Sequence, residues 1–240
     1  MKIRYLHQSG FALEMGNVLL VFDCWKFPQA GQQEGGRGYL CKKDLEGYER
    51  VYIFVSHIHG DHFNRRIFEW ADERVVYVLD RAVPAPPGIC AKKLSSGESL
   101  YEGDMRVVAH PSTDLGVSFQ VELYGKTIFH AGDLNCWHWA GENTPEEERE
   151  AREAFTQALL QIKPQMPRAD VAFFPVDPRL GTLMDDGVQE FLHEISVGLL
   201  VPMHFGDELD APKRFEKKMQ GGKTRVWAPK FSGDMLEISC

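Results

Sequence analysis

An α/β fold in a single domain is what these 240 residues predict. Three observations carry it. Strand-length and helix-length segments alternate along the chain, the pattern of sheets covered by helices. The apolar runs VYIFVS (51–56) and VAFFPV (171–176) have strand length and no polar alternation, as strands buried on both faces do. The segment NTPEEEREAREAFTQALLQI carries a helix start and one apolar stripe. No composition shift or low-complexity linker divides residues 1–240, so one domain is expected.

In chain order, the first 23 residues read as a meander: Lys2–His7, a turn at Ser9-Gly10, Phe11–Met15, a turn at Gly16-Asn17, then Val18–Asp23. Residues 24 to about 49 form a long connection of the kind that serves as a lid or a surface insertion. After VYIFVS come a short helix over about 64–71 and a strand at 75–79. Strands at Met105–Ala109, Val117–Leu123 and Thr127–His130 make a second meander, turning at Gly125-Lys126. The clearest helix has Thr144 at its N-cap, Pro145 at the first position and three glutamates in the first turn, where they suit the helix dipole. Its stripe is Ala151, Phe155, Ala158, Leu159 and Ile162. Strand 171–176, a helix near 186–196, strand 199–203 and a helix near 211–219 follow, with RVWA and MLEIS as edge strands.

The formal charge of −8 repels phosphate backbones and argues against general nucleic-acid binding. Five widely spaced cysteines without a C-x-x-C fit reduced thiols in a cytoplasm better than a disulfide framework. The opening MKIRYLHQSG has no apolar core of a secretion signal, and no apolar run approaches a membrane span.

The chemistry concentrates in VSHIHGDHFN, residues 55–64. Residues two apart on an extended chain project to the same side, so His57 and His59 point together where a buried strand ends. Gly60 permits a sharp turn, and Asp61 and His62 follow just ahead of a helix. Ligands of open α/β sheets gather at the carboxyl ends of strands. Imidazoles with a carboxylate suit zinc, manganese or iron. A lone histidine is usually a satisfied core residue; three beside an aspartate read as metal ligands.

This H-x-H-x-D-H resembles the signature of the metallo-β-lactamase superfamily, whose fold is a four-layer αββα sandwich of two mixed sheets flanked by helices. LLVFDCW resembles its early strand ending in aspartate, here Asp23; IFHAGD its strand ending in G-D, here Asp133; VPMHF its closing strand-end histidine, here His204. GKTIFHAGD and VPMHFG look most like the branch of ascorbate-6-phosphate lactonase and N-acyl-phosphatidylethanolamine phospholipase D. One landmark departs. Aligning Gly116 of AHPSTDLGVSF with the family's H-T-P-G-S puts Thr113 where a histidine ligand is expected, leaving His110, Asp114 or no residue to replace it.

The resemblance implies one metal on His57, His59 and His110, a second on Asp61, His62 and His204, and Asp133 bridging them, with Asp61 and Asp133 also catalytic. Two zinc ions, or one, with manganese or iron as alternatives, would activate water to attack a small anionic ester, lactone or phosphodiester. A di-iron oxidoreductase, a nuclease and a silent metal-binding protein are the competing readings. Asp23 is expected behind a ligating histidine, fixing its tautomer; His130 is either a similar support or core. In LNCWHWAG, Trp137, His138 and Trp139 would wall the site, with His138 a catalytic proton donor. Asp177 or Arg179 would touch substrate, with Arg37 and Lys26 weaker anion-binding candidates. Cys24 and Cys136 stand near site segments, though small buried thiols are commoner. QGGKT lacks the first glycine of a P-loop, HEISV lacks the second histidine of H-E-x-x-H, and no serine sits in a G-x-S-x-G elbow.

Overall fold

The computed structural model describes residues 1–28, 38–139 and 141–238. Its strands are β1 (Lys2–His7), β2 (Gly10–Met15), β3 (Val18–Phe22), β4 (Arg50–Val55), β5 (Val75–Asp80), β6 (Ala91–Leu94), β7 (Ser99–Glu102), β8 (Met105–Pro111), β9 (Val117–Leu123), β10 (Lys126–His130), β11 (Arg168–Pro175), β12 (Ser196–Met203), β13 (Arg225–Val226) and β14 (Met235–Glu237). The α-helices are α1 (Pro145–Ile162), α2 (Asp186–Glu194) and α3 (Asp210–Lys218). Among the described residues no helix is long and apolar enough to cross a membrane.

The chain divides into two compact units, Met1–Leu94 with Pro229–Cys240, and Ser95–Ala228. Each is built on one mixed seven-stranded sheet. Unit 1 has the order β14-β1-β2-β3-β4-β5-β6. Its meander β14-β1-β2-β3 is antiparallel, and β3-β4-β5-β6 is parallel. Unit 2 has the order β13-β12-β11-β10-β9-β8-β7, antiparallel from β7 to β10 and parallel from β10 to β13. Both sheets therefore switch from hairpins to parallel crossovers at one strand, β3 or β10.

In unit 1, Val21, Ile53, Val55, Tyr77 and Leu79 pack in one buried cluster with Ile67, Phe68 and Trp70. The opposite face is buried as well, with Phe22 and Phe54 stacked at 4.7 Å. That two-sided burial is why these strands are continuous apolar runs. The short helix expected over about 64–71 is a 3-10 helix, Arg65–Trp70, capped by Asn64, whose side chain accepts from Arg66 N. Its buried Ile67 and Trp70 lie three apart, on the eclipsed row of a 3-10 turn. In unit 2, α1 begins as its capping box requires: Thr144 Oγ1 accepts from Glu147 N and Glu147 Oε2 accepts from Thr144 N. Phe155 of α1 and Phe191 of α2 pack on Phe174 of β11, and Phe191 stacks on Phe129 of β10. Strands β6 and β7 lie outside the elements expected from the sequence.

Candidate functional site

In unit 1 the candidate ligands stand at the carboxyl end of β4, beside the end of β3. Asp23 N extends the parallel ladder by donating to Phe54 O at 3.0 Å, after which φ of +41° at Asp23 turns the chain out of the sheet. The Asp23 carboxylate, 1% exposed, accepts from Ser56 N (2.8 Å), Ser56 Oγ (2.6 Å) and His62 Nδ1 (2.8 Å). Ser56 Oγ also meets His57 Nδ1 at 2.9 Å. Because the serine gives its single proton to Asp23, it accepts from His57, which puts the proton of His57 on Nδ1 and the lone pair on Nε2. His62 receives the same tautomer from Asp23 directly. Asp61 Oδ2 accepts from Gln8 Nε2 at 3.0 Å.

In unit 2 three strand ends contribute. After β10, Ala131 N donates to Phe173 O, and Gly132, at φ +54°, turns the chain into Asp133. His130 Nδ1 accepts from Gly132 N at 3.3 Å, so His130 supports that turn. Trp137 Nε1 donates to Asp133 O at 2.7 Å. After β12, His204 adopts φ +62°. Its Nδ1 meets Asp177 Oδ2, beyond the end of β11, at 2.9 Å. Burial alone raises the Asp177 pKa; hydrogen bonds from His204 and Arg179 outweigh it and hold the carboxyl below the usual range. Arg179 Nε lies 3.0 Å from each Asp177 oxygen. Left-handed backbone at a non-glycine residue costs on the order of 1 kcal/mol, and Asp23 and His204 both carry it.

The donor set fits a small divalent ion. Two atoms each about 2.1 Å from one tetrahedral ion stand about 3.4 Å apart. His57 Nε2 and His59 Nδ1 are 3.0 Å apart, His204 Nε2 and Asp133 Oδ1 3.3 Å, and His62 Nε2 and Asp61 Oδ2 3.7 Å. His62 and His204 each pair Nδ1 with a buried carboxylate, the support that orients metal-bound imidazoles.

Two expected site residues are placed elsewhere. His110 Nε2 bonds Gln120 Oε1 at 2.7 Å. The register Val108↔Gln120 and Gln120↔Phe129 puts His110 on the face that carries Phe129 under α2. It reads inward only if the parity of β8 is reversed, and burial lowers its pKa. Among the described residues it joins no cluster of metal-ligating atoms. His138 Nε2 meets Arg152 Nη2 at 2.8 Å; an imidazole nitrogen accepting from a guanidinium is a poor proton donor. Asp114 is exposed in a turn, with its N donating to Ser112 Oγ. Thr113 Oγ1 donates to Asn135 O and accepts from Asn135 N, clasping the loop that follows Asp133.

Burial pushes the Cys24 thiol to about 12 and the Cys136 thiol to about 11, so neither is a thiolate nucleophile at neutral pH. Arg37 lies outside the described residues. Asp177, expected at substrate, is buried behind His204. Ser56 and Gln8 were missed. Ser56 has a signal, a hydroxyl between an apolar strand and its first histidine; Gln8, on a turn far from Asp61 in sequence, has none.

No family model and no curated protein sequence matches this chain. Solved structures do. Igni18, a metallo hydrolase from the archaeon Ignicoccus hospitalis, is similar with a TM-score of 0.68 at 15% identity, over 99% of both chains. The fold protein YhfI of Bacillus subtilis gives 0.60 at 13%, over 98% of this chain and 99% of its own. CmlA, a diiron β-hydroxylase of Streptomyces venezuelae, gives 0.66 at 13%, over 99% of this chain and 54% of its own. These likenesses establish the metallo-β-lactamase fold, the class expected from H-x-H-x-D-H.

Proposed function

We propose that this chain is a metal-dependent hydrolase with a dinuclear centre. As the resemblance implies, His57, His59, Asp61 and His62 of unit 1 and Asp133 and His204 of unit 2 would supply its ligands. The observation that carries this reading is the repeated histidine support, His62 Nδ1 on Asp23 and His204 Nδ1 on Asp177, each with Nε2 beside a further carboxylate at donor spacing. When bound, such ions lower the pKa of water from about 15.7 toward neutrality and polarise a substrate oxygen. Asp23 and Ser56 hold His57 and His62 in the ligating tautomer, Gln8 steadies Asp61, and Asp177 does for His204 what Asp23 does for His62. Substrates of this reading are small anionic esters, lactones or phosphodiesters, in keeping with the branch that GKTIFHAGD resembles. Zinc is the expected metal, with manganese the alternative. The cytoplasm is the expected compartment, in keeping with the free thiols of Cys24, Cys41, Cys90 and Cys136.

The test is elemental analysis of the purified protein with a hydrolysis screen over diesters, thioesters, lactones and β-lactams. About two transition-metal ions per chain are expected, and Asp133→Ala should abolish turnover of any substrate found. Protein without stoichiometric metal, combined with full turnover by Asp133→Ala, sinks the reading. The likeness to a diiron β-hydroxylase favours a second reading, redox chemistry on iron; iron in the purified protein with an optical band would select it.

A further inference from the structure

Unit 2 carries a closed ring of four side chains that ligand geometry alone does not require. Trp137 meets the His204 ring edge-on at 5.4 Å. Trp137 and Trp139 lie nearly parallel, 18° apart, with centroids at 6.4 Å. The Arg179 guanidinium carbon lies 5.6 Å from the Trp139 centroid, and Arg179 Nη2 returns to His204 Nδ1 at 3.3 Å. Both tryptophans are only half-buried, and the Arg179 side chain is 58% exposed although its partner Asp177 is 1% exposed. Arginine held by a buried carboxylate along one edge is rigid, and stacking on an indole makes it a preorganised fork for a second oxyanion.

We propose that Arg179 and Trp139 form an anion platform that selects substrates bearing a carboxylate or phosphate on a planar or acyl body. The body would lie along Trp137, with its charged end on Arg179 and its scissile end at the His204–Asp133 tip. This rests on the hydrolase reading for its placement beside the reaction, but not for the binding itself. Asp177 anchors the fork, and Trp137 is pinned by its bond to Asp133 O, so the platform moves with the candidate ligands. Arg179 also packs against His204, so a variant at 179 disturbs that support as well as the platform.

The test is calorimetric titration of the purified full-length protein with benzoate, with phenyl phosphate, and with neutral benzamide. Both anions are expected to bind at least about 10-fold tighter than benzamide, as a charge-assisted fork requires. The tighter of the two names the natural oxyanion. Arg179→Met should bring that preference to near unity. Arg179→Lys, which keeps charge but not the fork, should fall between. Trp139→Leu, which leaves the Arg179–Asp177 pair in place, should weaken anion binding about 3- to 10-fold. Metal content and melting temperature are measured on every variant. If Arg179→Met loses metal or stability, Arg179→Lys and Trp139→Leu decide. An anion preference undiminished in the deciding variants overturns the platform and leaves the hydrolase reading standing. Metal-free protein that keeps an Arg179-dependent preference upholds the platform while the hydrolase reading fails.

Discussion

In unit 1 one decapeptide, residues 55–64, delivers that unit's four candidate ligands, whereas unit 2 collects the candidate ligands Asp133 and His204, and Asp177 behind His204, from the ends of three different strands. The sheets share a plan, three antiparallel pairings followed by three parallel ones, and in both the strand at the change of direction leads into an aspartate, Asp23 or Asp133. The two aspartates have been given different work. Asp23 is buried behind histidines and takes three hydrogen bonds, while Asp133 faces the Nε2 of His204. A histidine support is thus built twice with unrelated parts, once by a neighbouring strand end and a serine, once by Asp177 and an arginine.

Breaking the two supports in turn tests this comparison. Asp23→Ala should be the most damaging change. It strands Ser56 and His62 in a buried place and should cost about 3 to 5 kcal/mol in urea unfolding, because three hydrogen bonds to a charged group are lost together. An effect under about 1 kcal/mol would mean that Asp23 is not the hub. Asp177→Asn should lower metal affinity about 10- to 100-fold in chelator competition, with a smaller stability loss, since its arginine partner lies at the surface. Equal stability losses for the two variants would erase the distinction drawn between the units. Ser56→Ala should cost about 1 kcal/mol and loosen metal binding, through the lost support of His57 and one hydrogen bond fewer on Asp23.

The histidine outside the ligand set sharpens the contrast through pH. Burial depresses the His110 pKa below 6.5, so the unfolded chain takes up the proton first as pH falls. Its contribution to stability is whole above 6.5 and is lost as pH drops toward the folded value, at no more than about 1.4 kcal/mol per pH unit. His110→Gln should flatten the stability profile between pH 7 and 5, at ~10 μM protein in urea melts, and leave metal content unchanged. Metal loss in that variant would return His110 to the ligand set.

The contrast also explains what the sequence made legible. A contiguous motif after an apolar strand is visible because two-residue periodicity, a glycine turn and ligand chemistry coincide within ten letters. Asp133 and His204 were reached only through resemblance, since no local pattern distinguishes a strand-end aspartate that faces a histidine from one that caps a turn. His110 misled because the parity of a strand end depends on register, and the register of β8 is set by β9 rather than by its own residues. Strands β6 and β7 were missed because AKKL and SLYE are short, polar and half exposed, which leaves no period to read. The short helix expected near 64–71 is a 3-10 helix, a type the sequence left open because six residues hold too few repeats to separate a spacing of 3 from 3.6.

The left-handed backbone at His204 has a consequence of its own. Asparagine tolerates that conformation better than histidine, and glycine adopts it freely. Replacement by either would relax the main chain while discarding the ring. A selection for thermal endurance alone would therefore favour glycine or asparagine over the imidazole at this position.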